Sequence, residues 1–179
     1  LHLRGLPLGG RWRVLADRWA ARRLSGGFPF HDLHALVAFI GAGDSERVEQ
    51  SLRALQDRAE GSDPGARRVR EISLPIAKAF AAFGRGDYGA VIEGLDSVRL
   101  IGHISGSHAQ RDAIHLTLVE AALRHRQVRL ARALAAERTA LKPSSALNRA
   151  LAVRARGDLG SRPEASSATR SSFPSPRAA

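Results

Sequence analysis

The sequence predicts an all-α protein built as an α-solenoid of antiparallel helix pairs, and three observations carry the prediction. Apolar residues recur at helical spacing, and no period-two alternation of the kind a strand needs survives along the chain. Three times an apolar run ends in a tight turn and a second amphipathic run follows at once, at Gly43-Asp44, Gly86-Asp87-Tyr88 and Arg126-Gln127-Val128. The turns lie 43 and then 40 residues apart, so each unit holds two helices and a longer link. Units of this kind cannot bury their apolar faces alone and must stack on their neighbours.

Taken in order, the first helix is expected from about Arg11 to Arg23, with Trp12, Leu15 and Trp19 on one core-facing stripe. Ser25-Gly26-Gly27 ends it, and Phe28-Pro29-Phe30 reads as an extended link. A second helix carries Leu33, Leu36, Val37 and Ile40 and stops at Gly41-Ala42-Gly43. Asp44 then caps a third, whose stripe is Val48, Leu52, Leu55 and Ala59. After the loop Gly61-Ser62-Asp63-Pro64-Gly65 comes a helix with Val69, Ile72, Ile76, Phe80 and Phe83. Pro75 either kinks that helix or marks where its regular part begins.

The next helix bears Tyr88, Val91, Ile92, Leu95 and Val98, and Gly102 and Gly106 bracket an irregular patch. Ser107-His108-Ala109-Gln110 has the layout of a capping box, followed by Ile114, Leu118, Ala121 and Ala122 on one face. A further helix carries Leu130, Ala131, Leu134 and Leu141, Lys142-Pro143-Ser144 closes it, and a last short helix holds Leu147 and Leu151. Residues 1–156 thus form one helical-repeat domain. The Ser, Arg, Pro and Ala of residues 157–179 are too polar to offset ordering entropy, so a disordered tail is expected there.

Composition narrows the function classes. There is no cysteine, which excludes disulfides, thiolate metal sites and cysteine nucleophiles. No apolar run approaches the roughly 20 residues needed to span a bilayer, and the start lacks the layout of a signal peptide, so a cytoplasmic protein without membrane insertion is expected. There is no methionine, even at position 1, so Leu1 is read as lying inside a longer gene product. The formal charge of +11 is local: residues 1–119 hold 16 Lys/Arg against 13 Asp/Glu, whereas residues 120–156 hold 9 against 2. With aromatics at core spacing and few left to stack bases, a nucleic-acid-binding surface is disfavoured, though the excess keeps it as an alternative.

Few residues carry candidate chemistry. Ser107, His108 and Asp112 contain the side chains of a hydrolase triad, but Ser107 and His108 are neighbours at a helix start, and no G-x-S-x-G elbow or oxyanion hole accompanies them. The structural account gives Ser107 and Gln110 the cap and places Arg111 and Asp112 to bond across to a neighbouring unit. A polar ligand contact through His108, Arg111 and Asp112 stays open beside it. His31 and His34 flank Asp32 without the three or four converging ligands zinc needs, so neither a metal nor a cofactor is implied. Arg124, Arg126, Arg129 and Arg132 crowd one hairpin, either as a solvated face or as a basic docking surface.

Aligned on their turns, the units resemble tetratricopeptide repeats. Ala79, Gly86-Asp87-Tyr88, Val91, Leu95 and Val98 take the repeat's small, turn and packing positions in the middle unit. Ala122, Ala131 and Pro143 do so in the last, and Phe39, Gly43-Asp44, Val48, Leu52 and Leu55 in the first. Three stretches carry a longer likeness: Phe30-His31-Asp32-Leu33-His34-Ala35, Ala82-Phe83-Gly84-Arg85-Gly86-Asp87-Tyr88 and Gly106-Ser107-His108-Ala109-Gln110-Arg111-Asp112. Over roughly Arg11 to Arg156 they resemble the C-terminal part of the tetratricopeptide repeat protein 38 family. Members of that family are considerably longer, so the resemblance implies a portion lacking the first repeats. Ile104-Ser105 and the serine-rich tail depart from the family's pattern. The resemblance implies a repeat scaffold, and the function expected is non-catalytic binding of a protein or peptide partner. His34, Ser107, His108, Gln110, Arg111 and Asp112 form the candidate interaction or inter-repeat motif.

Overall fold

A computed structural model describes residues 3, 8–22, 29–96 and 107–157. Among the described residues all regular structure is helical and there is no strand. The helices are α1 (Arg11–Ala20), α2 (Pro29–Ala42), α3 (Ser45–Ala59), α4 (Pro64–Arg68), α5 (Leu74–Arg85), α6 (Tyr88–Asp96), α7 (His108–Arg124), α8 (Val128–Leu141) and α9 (Ala146–Gly157), with a π-helical turn at Val69–Ser73 joining α4 to α5. The all-helical reading of the sequence therefore holds. Phe28, Val98, the patch between Gly102 and Gly106, and the tail from 158 onward lie outside the described residues.

The three turns seen in the sequence are three copies of one structure. At the end of α2, Gly43 N–H donates to the Ile40 carbonyl and Asp44 N–H to the Phe39 carbonyl. The same two bonds run from Gly86 to Phe83 and Asp87 to Ala82 after α5, and from Arg126 to Leu123 and Gln127 to Ala122 after α7. This is the Schellman closure, which satisfies carbonyls that a helix end leaves unpaired and needs a left-handed residue at its apex. The apex residues are Gly43 (φ 71°), Gly86 (φ 79°) and Arg126 (φ 58°). Asp44 and Asp87 then cap the following helices by accepting from the backbone N–H of Arg47 and Ala90, each at 3.1 Å. The result is three helical hairpins, α2–α3, α5–α6 and α7–α8.

These hairpins stack in chain order. The first helices touch each other, α2 on α5 and α5 on α7, while each second helix packs on the first helix that follows, α3 on α5 and α6 on α7. At the two ends α1 packs on α2 and α9 on α8. The main core lies between the first two hairpins and α7, around Leu36, Leu55, Ile76, Val91 and Ile114. A second cluster joins α7, α8 and α9 through Val119, Leu134 and Leu151, and a third joins α1 to α2 through Ala16, Ala35, Ala38 and Phe39. Fully burying a leucine or isoleucine side chain contributes about 1.5–3 kcal/mol, so the interfaces between neighbours hold the stack together.

Two glycines set the spacing of the first helices. A Cβ on Gly41 would come within 2.3 Å of the Trp12 ring, and one on Gly84 within 2.6 Å of Ile40 Cγ2. The two glycines precede the apex glycines by the same two residues, so each hairpin accepts the side chain of its predecessor at the same place.

The structure corrects several sequence expectations. α1 ends at Ala20 rather than near Arg23, and its buried residue is Ala16, whereas Leu15 is 41% exposed. Trp12, Ala16 and Trp19 recur at i, i+4, i+7 and form the stripe that faces α2, which leaves Leu15 off it. Pro29 and Phe30 are helical, not extended, because proline's fixed φ suits the first turn, where no N–H partner is needed. Of the two readings of Pro75 the second holds: the regular helix α5 begins at Leu74, with Pro75 in its first turn. Pro75 sits behind the π-turn, in which the N–H of Leu74 reaches the Val69 carbonyl five residues back. Lacking an N–H for the carbonyl four residues back, proline is accommodated by this wider turn. Leu141, expected on the packed stripe, is 74% exposed at the last residue of α8.

Candidate functional site

Ser107 and Gln110 form the capping box at the start of α7. The Gln110 N–H donates to Ser107 Oγ at 3.3 Å and the Ser107 N–H to Gln110 Oε1 at 2.7 Å. Gln110 also reaches α2, with its Nε2 3.4 Å from His34 Nε2. Arg111 Nη2 lies 3.4 Å from His108 Nδ1 on the same helix. The motif therefore splits: His34, Ser107 and Gln110 tie α7 to α2, His108 and Arg111 meet along one helix, and Asp112 turns the other way.

Asp112 accepts a two-pronged ion pair from Arg138 of α8, at 2.5 and 3.0 Å. Arg138 is only 7% exposed. Its Nε donates to Asn148 Oδ1 at 3.1 Å, and Asn148 returns a bond from Nδ2 to the Arg138 carbonyl at 2.7 Å. His115 Nδ1 stands 3.1 Å from Arg138 Nη1. One guanidinium thus locks α7, α8 and α9 together. The bonds from Arg138 hold the Asp112 carboxyl below the usual carboxylate range, while burial, and then the Arg138 charge, push the His115 imidazole below its ordinary value. Both Asp112 oxygens are thus engaged by Arg138.

A second pair buries deeper. Glu120 is 2% exposed and takes two bonds from Arg154 of α9, at 2.6 and 3.0 Å. The Glu120–Arg154 pair was missed in the sequence, and Asp112 was expected to bond to a neighbouring unit without its partner being named, although the partner left a signal: Ala131, Leu134, Ala135 and Arg138 recur at i, i+3, i+4, i+7, which places the arginine on the buried stripe of α8.

The four arginines of the basic hairpin do not share one role. Arg126 is the left-handed apex of the third turn, and Arg129 is exposed. Arg132 donates to the carbonyls of Ala155 and Arg156 at 3.1 and 3.3 Å, satisfying the C-terminal turn of α9. Arg124 lies over the rings of Phe83 and Tyr88, donates to the Tyr88 hydroxyl at 2.9 Å and reaches the Leu3 carbonyl at 2.5 Å. Arg138 and Arg154 are committed to carboxylates, whereas Arg124, Arg126, Arg129 and Arg132 are all exposed.

The first helices of the three hairpins instead enclose an apolar groove of about 380 Å³. Val37 and Ile40 of α2, Phe80 and Phe83 of α5, and Ala113 and Thr117 of α7 line it. Leu3, Leu8 and, from α1, Trp12 line it as well. The Thr117 hydroxyl is turned to the Ala113 carbonyl at 2.8 Å, so the wall presents little but hydrocarbon. Among the described residues no three His, Asp or Glu side chains converge as a metal site requires, and no helix is long and apolar enough to cross a membrane.

No protein-family model matches this chain and no solved structure matches it. Function is therefore read from the groove and the stack themselves.

Proposed function

We propose that this chain is a non-catalytic, tetratricopeptide-like helical-repeat scaffold that binds a protein or peptide partner in the cytoplasm. The observation that carries the reading is the groove: one helix from each of three equivalent hairpins contributes to a single apolar wall. The three identical turn closures and the repeated glycine contacts support a solenoid of antiparallel pairs, in which a shared face of this kind serves as the binding surface. The likeness to the C-terminal portion of the tetratricopeptide repeat protein 38 family belongs to the same reading.

Selection of a random peptide library on the intact immobilised chain tests it. Enriched peptides are expected to bind the unaltered chain and to lose at least about tenfold affinity for the Val37→Asp chain, because a charge in an apolar groove is desolvated without a partner. Retained affinity for a helical Val37→Asp chain, or no enrichment at all, refutes the groove as the binding surface.

A further inference from the structure

We infer that α8 and α9 form a second docking surface, a groove with a hydrocarbon floor and an arginine rim, and that it takes an acidic amphipathic helix of a partner protein. This surface shares no residue with the apolar groove of α2, α5 and α7.

Helical spacing builds it. Arg132, Ala136 and Ala140 recur at i, i+4, i+8 on α8, and Arg149, Val153 and Arg156 at i, i+4, i+7 on α9. Each helix thus turns one face to a common groove of about 950 Å³. Alanines on both helices keep it open, and Val153 stands in it 61% exposed. The Thr139 hydroxyl donates to the Ala135 carbonyl at 2.8 Å, so its polar atom is engaged within α8.

The rim carries one sign of charge. Arg132 donates to the carbonyls of Ala155 and Arg156, and Arg149 to that of Pro143 at 3.0 Å. A carbonyl holds a guanidinium in place without neutralising it, and each guanidinium has five N–H groups to give. Arg156 is exposed beside them. Among the described residues no acid lines the groove. α9 contains none, and Glu137 of α8 stands near His115, with Oε2 3.9 Å from Nε2. The carboxylates that α7 supplies, Asp112 and Glu120, are taken by Arg138 and Arg154.

Another face of the same helix pair shows what such a surface accepts. There α7 packs Val119 and Ala122 among Leu134 and Leu151, while Asp112 and Glu120, about two turns apart, each receive both prongs of an arginine. A helix with aliphatic residues between carboxylates therefore matches arginines set around hydrocarbon. The groove presents the same two ingredients to solvent. Its small side chains permit close approach of a helix, and planar guanidiniums meet carboxylates in pairs of bonds. Nucleic acid fits it less well: phosphates would meet the arginines, but no aromatic ring lines the floor for bases to stack on.

The test uses the full chain at low salt and follows the anisotropy of a labelled peptide. The probe repeats Leu-Ala-Ala-Leu-Glu-Ala-Glu over about 20 residues, which gives a helix with a leucine stripe flanked by glutamates. Saturable binding is expected, weakened at least about tenfold when glutamine replaces glutamate in the probe. The Arg149→Glu, Arg156→Glu chain is expected to bind the probe at least about tenfold more weakly, and the Val153→Asp chain at least about fivefold, with helical circular dichroism unchanged. The Val37→Asp chain, altered in the other groove, is expected to bind it as the unaltered chain does. No saturable binding, equal affinity for the glutamine peptide, or loss of binding with Val37→Asp overturns the inference. So does indifference to the α9 variants; should the double variant fail to fold, Val153→Asp decides alone. An oligothymidylate of about 20 nucleotides is the competing probe, expected to bind more weakly than the peptide. Tighter binding of that strand, lost in the Arg149→Glu, Arg156→Glu chain, would assign the face to nucleic acid and overturn the inference as well.

Discussion

Asp112→Ala isolates the ion pair that joins the last three helices. The substitution leaves the Arg138 guanidinium, 7% exposed, without its carboxylate, while its bonds to Asn148 and His115 remain. Breaking a fully buried pair costs about 3–5 kcal/mol, and breaking an exposed one about 0.2–1 kcal/mol. Asp112 itself is 44% exposed, so the cost falls between these limits, at about 2 kcal/mol. Urea denaturation followed by far-ultraviolet circular dichroism reads this as a midpoint lowered by about 1 M, with a slope of about 2 kcal/mol/M.

The pH dependence has a definite sign. Arg138 depresses the folded-state pKa of Asp112, so its contribution is fully present above the unfolded value of about 3.9 and is lost as pH falls through the folded value. The gap between the two chains should be level around neutrality and should close as the medium becomes strongly acidic. Asp112→Asn, which keeps one acceptor, should cost about half as much. A midpoint shift below about a quarter of that expected near pH 7, or a gap that stays open when the carboxyl is protonated, refutes the reasoning.

Three further outcomes are expected. Arg154→Ala should destabilise the protein by about 2–3 kcal/mol and Glu120→Gln by less, because the first leaves a buried carboxylate with, among the described residues, only Arg124 nearby, 3.9 Å away, and the second removes its charge; thermal melts of the two variants check the order. Arg126→Gly should be neutral to stabilising by about 0.5 kcal/mol, since glycine adopts the φ of 58° without steric cost, whereas Gly86→Ala should destabilise by about 1 kcal/mol, and denaturant midpoints of the pair should move in those directions. Ser107→Ala should cost about 1 kcal/mol and raise amide hydrogen exchange in the first turn of α7, and an unchanged exchange rate there would count against the cap.

Much of the fold was legible because it is local. Asp44 caps α3 from three residues away, Ser107 and Gln110 answer each other within one turn, and left-handed glycines close α2 and α5. Such features depend on side chains and backbone only a few residues apart, so residue order alone specifies them. Arg126 was recognisable as the third apex only by its place in the repeat, because arginine gives no local sign of a positive φ. Asp112 was expected to bond to a neighbour, but nothing near it named Arg138.

The sequence by itself determined an all-helical chain, the three turns, the caps and most of the apolar stripes. Tertiary structure decided which charges meet. Asp112 finds Arg138 across 26 residues, Glu120 finds Arg154 across 34, and Arg124 finds the Leu3 carbonyl across 121. It also decided that Ala16 rather than Leu15 faces the core, and that six residues of α2, α5 and α7 share one groove with Leu3 and Leu8. The physical reason is one of range: helix periodicity and capping act within a turn or two of the backbone. Ion pairs and grooves depend instead on how whole helices are set against each other, which is fixed by the close approach at Gly41 and Gly84 and the burial between successive hairpins.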